Sequence, residues 1–173
     1  SLNDGEQCYI FPANGANTPA EIMESETPLI VEMRELLPDS GGAGKLRGGL
    51  GCRIVYRVPD DETAPIPPVN LGIQSGRFRL APKGLFGGQP GARAQFLVNG
   101  KPGNPYSLTR LQPGDVVTMD AAGGGGYGDP SERDHDALLN DIRAGKVTAA
   151  GAKKDYGVDF EDEKHQTLND AAT

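Results

Sequence analysis

Apolar and polar positions alternate along this chain in short bursts, and each burst stops at glycine or proline. Residues 29–37 place Ile30, Glu32 and Arg34 on one parity and Leu29, Val31, Met33 and Glu35 on the other, which predicts a strand with one polar face. Residues 52–58 predict a second strand around Ile54-Val55-Tyr56, and residues 115–119 another around Val116-Val117. Such β-branched and aromatic side chains suit a pleated, half-buried surface. Residues 95–98 run into Asn99-Gly100, a dipeptide that favours a type I′ hairpin turn. Arg77-Phe78-Arg79-Leu80 predicts one more strand.

The intervening segments are loops. Residues 38–49, 81–92 and 120–130 are rich in glycine. Residues 59–70 combine Pro59, Pro65, Pro67 and Pro68 with three acids and predict a loop, and Pro113-Gly114 predicts a turn. Residues 1–17 read as irregular or short-stranded.

Helical signals occur at both ends. Thr18 suits an N-cap, Pro19 the first helical position and Glu21 the third, for a short helix ending before Pro28. Asp134 caps a second helix reaching about residue 144, with Leu138, Leu139 and Ile142 as its apolar stripe and Gly145 just past its end. Thr148 caps a third, closed by Tyr156-Gly157. The predicted fold is therefore mainly β with a small C-terminal helical tail, a β-rich α+β arrangement of short strands joined by Gly/Pro-rich loops. It divides into a β-rich body over residues 1–130, a helical tail over 131–158 and a polar, acidic terminus over 159–173 expected to be disordered.

Composition sharpens this picture. Apolar residues make up 36% of the chain, while 25 Gly and 14 Pro favour many short elements over a helical bundle. The formal charge of −7, with the basic residues scattered, argues against a nucleic-acid partner. No run of 18 apolar residues exists to span a membrane, and the first five residues lack a secretory pattern. The chain starts without Met, as a processed, trimmed or fragmentary chain would. Cys8 and Cys52 allow one disulfide by count but are expected as free thiols, and two histidines, His135 and His165, are too few for a zinc site, so no metal is expected on this chain.

Two glycine motifs resemble known phosphate-binding patterns without satisfying them. Gly123-Gly124-Gly125-Gly126-Tyr127-Gly128 has dinucleotide-loop spacing, but Asp129-Pro130 follows where a helix should open and no second parallel strand remains. Its glycines are expected to serve a positive φ or a very close approach to another surface. Gly41-Gly42-Ala43-Gly44-Lys45 departs from a phosphate loop at Asp39 and Leu46, and a structural turn is expected. The acid runs Asp60-Asp61-Glu62 and residues 159–163 read as solvated surface, and Glu21, Glu24 and Glu26 lack a visible convergent geometry. Taken alone, these residues give no self-contained active site, and the catalytic residues are unassigned.

Several segments together resemble the hydantoinase B/5-oxoprolinase family. They are Asn17-Thr18-Pro19-Ala20-Glu21, the glycine-rich residues 38–51, residues 84–91, residues 123–130, and the ending from Glu132-Arg133-Asp134 to Asp155-Tyr156-Gly157-Val158. Order and spacing agree over residues 14–160. Asp120-Ala121-Ala122 and His135 depart from the usual family pattern. The resemblance implies the C-terminal portion of a B-type subunit in an ATP-dependent cyclic-amide hydrolase, in which the amide is phosphorylated before water attacks. It implies a hetero-oligomer with an A-type nucleotide-binding subunit and the remaining B-type segment, in the cytoplasm. ATP and a divalent metal belong to the whole complex, with neither expected on this chain alone. A ketone carboxylase subunit of the acetophenone or acetone type, or a non-catalytic packing module, is the alternative. The matched positions expected to line substrate or phosphate are Asn17, Thr18, Glu21, Gly124, Gly125 and Gly126.

Overall fold

The structure, a computed structural model, describes residues 3–6, 18–61, 63, 66–74 and 76–159. Its centre is a five-stranded antiparallel sheet in the order β1-β2-β7-β4-β5. The strands are β1 (Ile30–Leu36), β2 (Cys52–Arg57), β3 (Val69–Leu71), β4 (Gln95–Val98), β5 (Lys101–Pro102), β6 (Thr109–Leu111) and β7 (Val116–Asp120). β3 and β6 form a separate two-stranded sheet. The chain is mainly β, as its short alternating runs predict, and three helices complete it: α1 (Ala20–Glu26), α2 (His135–Arg143) and α3 (Ala149–Tyr156). Among the described residues no helix is long and apolar enough to cross a membrane.

The core lies where the central strands point inward. Tyr56, Val58, Phe96, Leu111 and Val117 are buried together. Val58 continues the pairing past β2, because its N–H donates to the Asp115 carbonyl at 2.9 Å. A second cluster, Leu138, Val147 and Ala152, holds α2 and α3. Both helices use the caps their sequence offers. The Asp134 carboxylate accepts from the Ala137 N–H, the Thr148 hydroxyl accepts from Gly151, and Gly157 takes a left-handed conformation at φ 73°.

The hairpin at residues 99–100 is as expected, with φ of 50° at Asn99 and 74° at Gly100. Asn99 also ties the turn to β7: its Oδ1 accepts from the Val116 N–H at 2.9 Å, and its Nδ2 donates to Asp115 at 2.7 Å.

Four local expectations need correction. The Thr18 side chain caps nothing; α1 starts at Ala20 behind Pro19, without a side-chain cap. β1 contains a bulge, since Val31 pairs with Tyr56 and Met33 with Val55, leaving Glu32 as an extra residue. The extra residue reverses side-chain parity, and Met33 is consequently exposed. Residues 77–80 form bends and no strand; Arg77 sits at φ 68°, which breaks an extended run. Residues 59–70 are not all loop, because Val69 and Asn70 open β3 opposite Leu111 and Arg110. A three-residue strand is too short to show a period. Cys8, His165 and the terminus from residue 160 lie outside the described residues.

Candidate functional site

The glycine-rich segments leave the sheet at one end and join in a single layer. β1 and β2 run into it through the Leu37 N–H, which donates to the Gly51 carbonyl at 2.9 Å. β7 enters at Ala121, whose N–H donates to Cys52 at 2.8 Å. Residues 40–51, 83–92 and 121–128 then hydrogen-bond side by side without forming named strands. Gly42 donates to Gly124 and Gly124 donates to Gly49, each at 2.8 Å. Gly126 donates to Gln89, and Leu85 donates to Gly126, each at 2.9 Å. Leu46 and Tyr127 exchange both backbone bonds, each at 2.9 Å.

Such close approach explains the glycines. A Cβ on Gly123 would overlap the Ser40 carbonyl oxygen, and one on Gly125 would overlap the Lys83 carbonyl oxygen. In residues 123–128 only Gly128 has a positive φ, so close approach is the dominant requirement. An anion cradle needs backbone N–H groups directed at the anion, and much of this backbone spends its N–H groups inside the layer. The N–H groups of Gly42, Lys45, Leu46, Gly48, Gly124, Gly126 and Gly128 all donate to carbonyls within the layer. Lys45 pairs with Glu132 at 3.1 Å on the surface.

A cleft of about 520 Å³ opens beside the layer, lined by Asp39, Gly42, Gln89, Gly91, Lys154 and Asp155 among others. Asp39 connects the glycine loop to α3. Its carboxylate accepts from the Thr148 N–H at 2.8 Å and from the Thr148 hydroxyl at 2.6 Å.

Beneath the layer lies an ionic cluster that crosses the chain from end to end. Arg47 binds Asp141 through Nε at 2.9 Å, and its Nη1 donates to the Gly48 carbonyl at 2.6 Å. Arg133 binds both oxygens of Asp4, at 2.8 and 2.9 Å, and also reaches Asp141. Asp4 in turn accepts from the Arg47 N–H at 2.8 Å. The Arg47, Arg133 and Asp141 side chains are at most 5% exposed. Burial alone would raise the Asp4 pKa, but the Arg133 hydrogen bond, the Arg47 N–H and both guanidinium charges hold it below its ordinary value. Burial is also the main cause that raises the Tyr156 pKa, and the Arg133 guanidinium lies 5.6 Å from that ring's centroid.

The expected lining residues fall into two places. Gly124, Gly125 and Gly126 sit within the layer, nearest to residues 42–49 and 83–84. Thr18 and Glu21 are exposed at α1, which packs on β1; the Thr18 carbonyl accepts from Arg34 at 3.1 Å. The atoms nearest Gly124, Gly125 and Gly126 belong to neither Thr18 nor Glu21. Asn17 lies outside the described residues. Among the described residues no group of three or more His, Cys, Asp or Glu could hold a metal ion. The ionic cluster went unseen in the sequence because its partners are up to 129 positions apart. One signal was available: Arg47 lies inside the glycine-rich residues 38–51, and Arg133 lies in the matched ending that opens at Glu132.

The family model for hydantoinase B/oxoprolinase matches residues 1–130. The chain belongs to the hydantoinase B/oxoprolinase family. An uncharacterized protein of Methanocaldococcus jannaschii is 39% identical over 82% of this chain and 25% of its own length. The caprolactamase β subunit of Pseudomonas jessenii is 33% identical over 88% of this chain and 26% of its own. The nucleotide-free structure of acetone carboxylase superposes with a TM-score of 0.70, at 24% identity, over 90% of this chain and 25% of that one. That likeness shows the fold alone. This hydantoinase B-family chain therefore spans about a quarter of the length of the relatives it matches.

Proposed function

We propose that this chain is the C-terminal portion of an ATP-dependent cyclic-amide hydrolase, working with the remaining B-type segment and an A-type nucleotide-binding subunit in a hetero-oligomer. The carrying observation is the 33% identity to the caprolactamase β subunit across 88% of the chain. Phosphorylation of the amide oxygen would turn a poor electrophile into one with a good leaving group before water attacks. ATP and a divalent metal are assigned to the whole complex. The glycine layer supports that division, since many of its N–H groups donate to carbonyls within it. Asn17, Thr18, Glu21 and Gly124–Gly126 are proposed as wall positions toward substrate or phosphate. Supporting this, Thr18 and Glu21 are exposed, and Gly124 and Gly125 are only half-buried. A cytoplasmic location belongs to the same proposal.

The test is reconstitution. The chain is assayed alone and with both partners, on hydantoin, 5-oxoproline and caprolactam with ATP. Ring opening coupled to ATP consumption is expected only with the full set, and robust turnover by the chain alone defeats the proposal. Fixation of labelled bicarbonate onto a ketone, without ring opening, would instead assign the chain to a ketone carboxylase.

A further inference from the structure

Charge is segregated along this chain in a way that scattered single positions conceal. Residues 63–114 hold six of its 17 Lys and Arg and none of its 24 Asp and Glu. Those six are Arg77, Arg79, Lys83, Arg93, Lys101 and Arg110, and all are exposed. Among the described residues, the ion pairs use the cations outside this stretch. Surface charges of both signs normally intermix, so an acid-free stretch whose cations make no ion pair is unusual.

The same stretch exposes bulky apolar groups around a shaped surface. Tyr106 stands between two hollows of about 360 and 350 Å³. Phe78, Arg79 and Phe96 line the first, Ile73 and Leu108 the second. The Arg79 guanidinium lies 4.7 Å from the Tyr106 ring centroid, and the Phe78 ring meets Tyr106 edge-on at 6.1 Å. Leu80, Tyr106 and Leu108 are 73%, 59% and 75% exposed. Arginine and tyrosine beside aliphatic groups is the composition of protein interfaces, where Arg and aromatic residues are enriched. The aliphatic Leu80 and Leu108 offer no stacking platform for bases, and the rest of the chain is strongly acidic, so a nucleic acid suits this surface poorly.

We propose that this acid-free face, centred on Arg79, Tyr106 and Leu108, docks a carboxylate-bearing apolar surface on the remaining B-type segment. The inference rests on the reading given under Proposed function. Two observations select that occupant. The chain spans about a quarter of its relatives' length, so the other three quarters of a family polypeptide is the nearest source of a covering surface. Six exposed cations that make no ion pair among the described residues call for carboxylates on whatever covers them.

The experiment measures binding of the whole chain to the separately produced B-type segment, and to the A-type subunit, at low and high salt. The unaltered chain should bind the B-type segment, more weakly as salt rises. Arg79→Glu and Leu108→Glu should each weaken binding about tenfold or more, by like-charge contact and by burying a carboxylate. Lys153→Glu on α3 makes the same charge change elsewhere and should leave binding intact. Circular dichroism and melting temperature check folding, and Arg79→Gln with Tyr106→Ala provides a milder variant expected to lose affinity and salt dependence together. Unchanged binding by folded variants overturns the inference and leaves the proposed function standing. Loss of binding only to the A-type subunit also overturns it. Failure of the unaltered chain to bind the B-type segment sinks both.

Discussion

Arg47 and Asp141, 94 positions apart in sequence, form an ion pair at 2.9 Å with both side chains no more than 5% exposed. The pair fastens the glycine loop between β1 and β2 to the helix α2. Removing Asp141 strands Arg47 as a buried, unpaired charge, which costs about 3–5 kcal/mol, whereas Asp141 keeps Arg133 and Lys146 when Arg47 is removed. Asp141→Ala is therefore expected to lower stability by about that amount and Arg47→Ala by less, read from denaturant midpoints. Asp141→Leu should fare no better, because it strands Arg47 and also deprives Arg133 of a partner.

Gly123→Ala should disrupt the layer, since its new methyl would overlap the Ser40 carbonyl oxygen and both sides are backbone. A large fall in melting temperature or loss of the folded state is expected. Gly76→Ala is the matched control. Nothing lies within 4 Å of a Cβ there, and its φ is not in the left-handed region, so its change should stay within about 0.5 kcal/mol. Equal tolerance of both would refute the view that close approach fixes these glycines.

Asn99→Ala removes two hydrogen bonds to β7 and puts a Cβ-bearing residue without a local polar group at φ 50°. A loss of about 1–2 kcal/mol is expected. Asn99→Gly keeps the backbone comfortable and should cost less. Thermal unfolding of the two variants side by side separates the turn geometry from the hydrogen bonds.

The depressed Asp4 pKa fixes the sign of an acid effect. A carboxylate whose pKa is lower folded than unfolded favours the folded state above the unfolded pKa, and that preference disappears as pH falls through the folded value. Stability from this group should hold at neutral pH and decline below about pH 4, the usual aspartate range. Asp4→Asn should reduce stability at neutral pH and flatten the decline. Urea midpoints across the pH range measure both.

How much of this was legible beforehand depends on the range of the interaction. Asn99-Gly100, Asp134 and Thr148 act on neighbours within a few residues, and each does in the structure what its sequence predicts. The bulge at Glu32 and the bend at Arg77 were invisible, because both are set by what the segment packs against. Among the lining candidates, Thr18 and Glu21 share a motif with Asn17 and sit at α1, while Gly124 and its neighbours sit in the glycine layer.

By itself the sequence determined the family, the β-rich class, the helix caps and the hairpin, since local backbone preference and short-period patterning write themselves into adjacent residues. Only the tertiary structure decided why residues 123–126 are glycine. Their requirement is the nearness of Ser40, Lys83 and Gly49, segments remote in sequence. It also decided that Asp4, Arg47, Arg133 and Asp141 form one buried cluster, because charge pairing across up to 129 residues leaves no periodic trace in the chain.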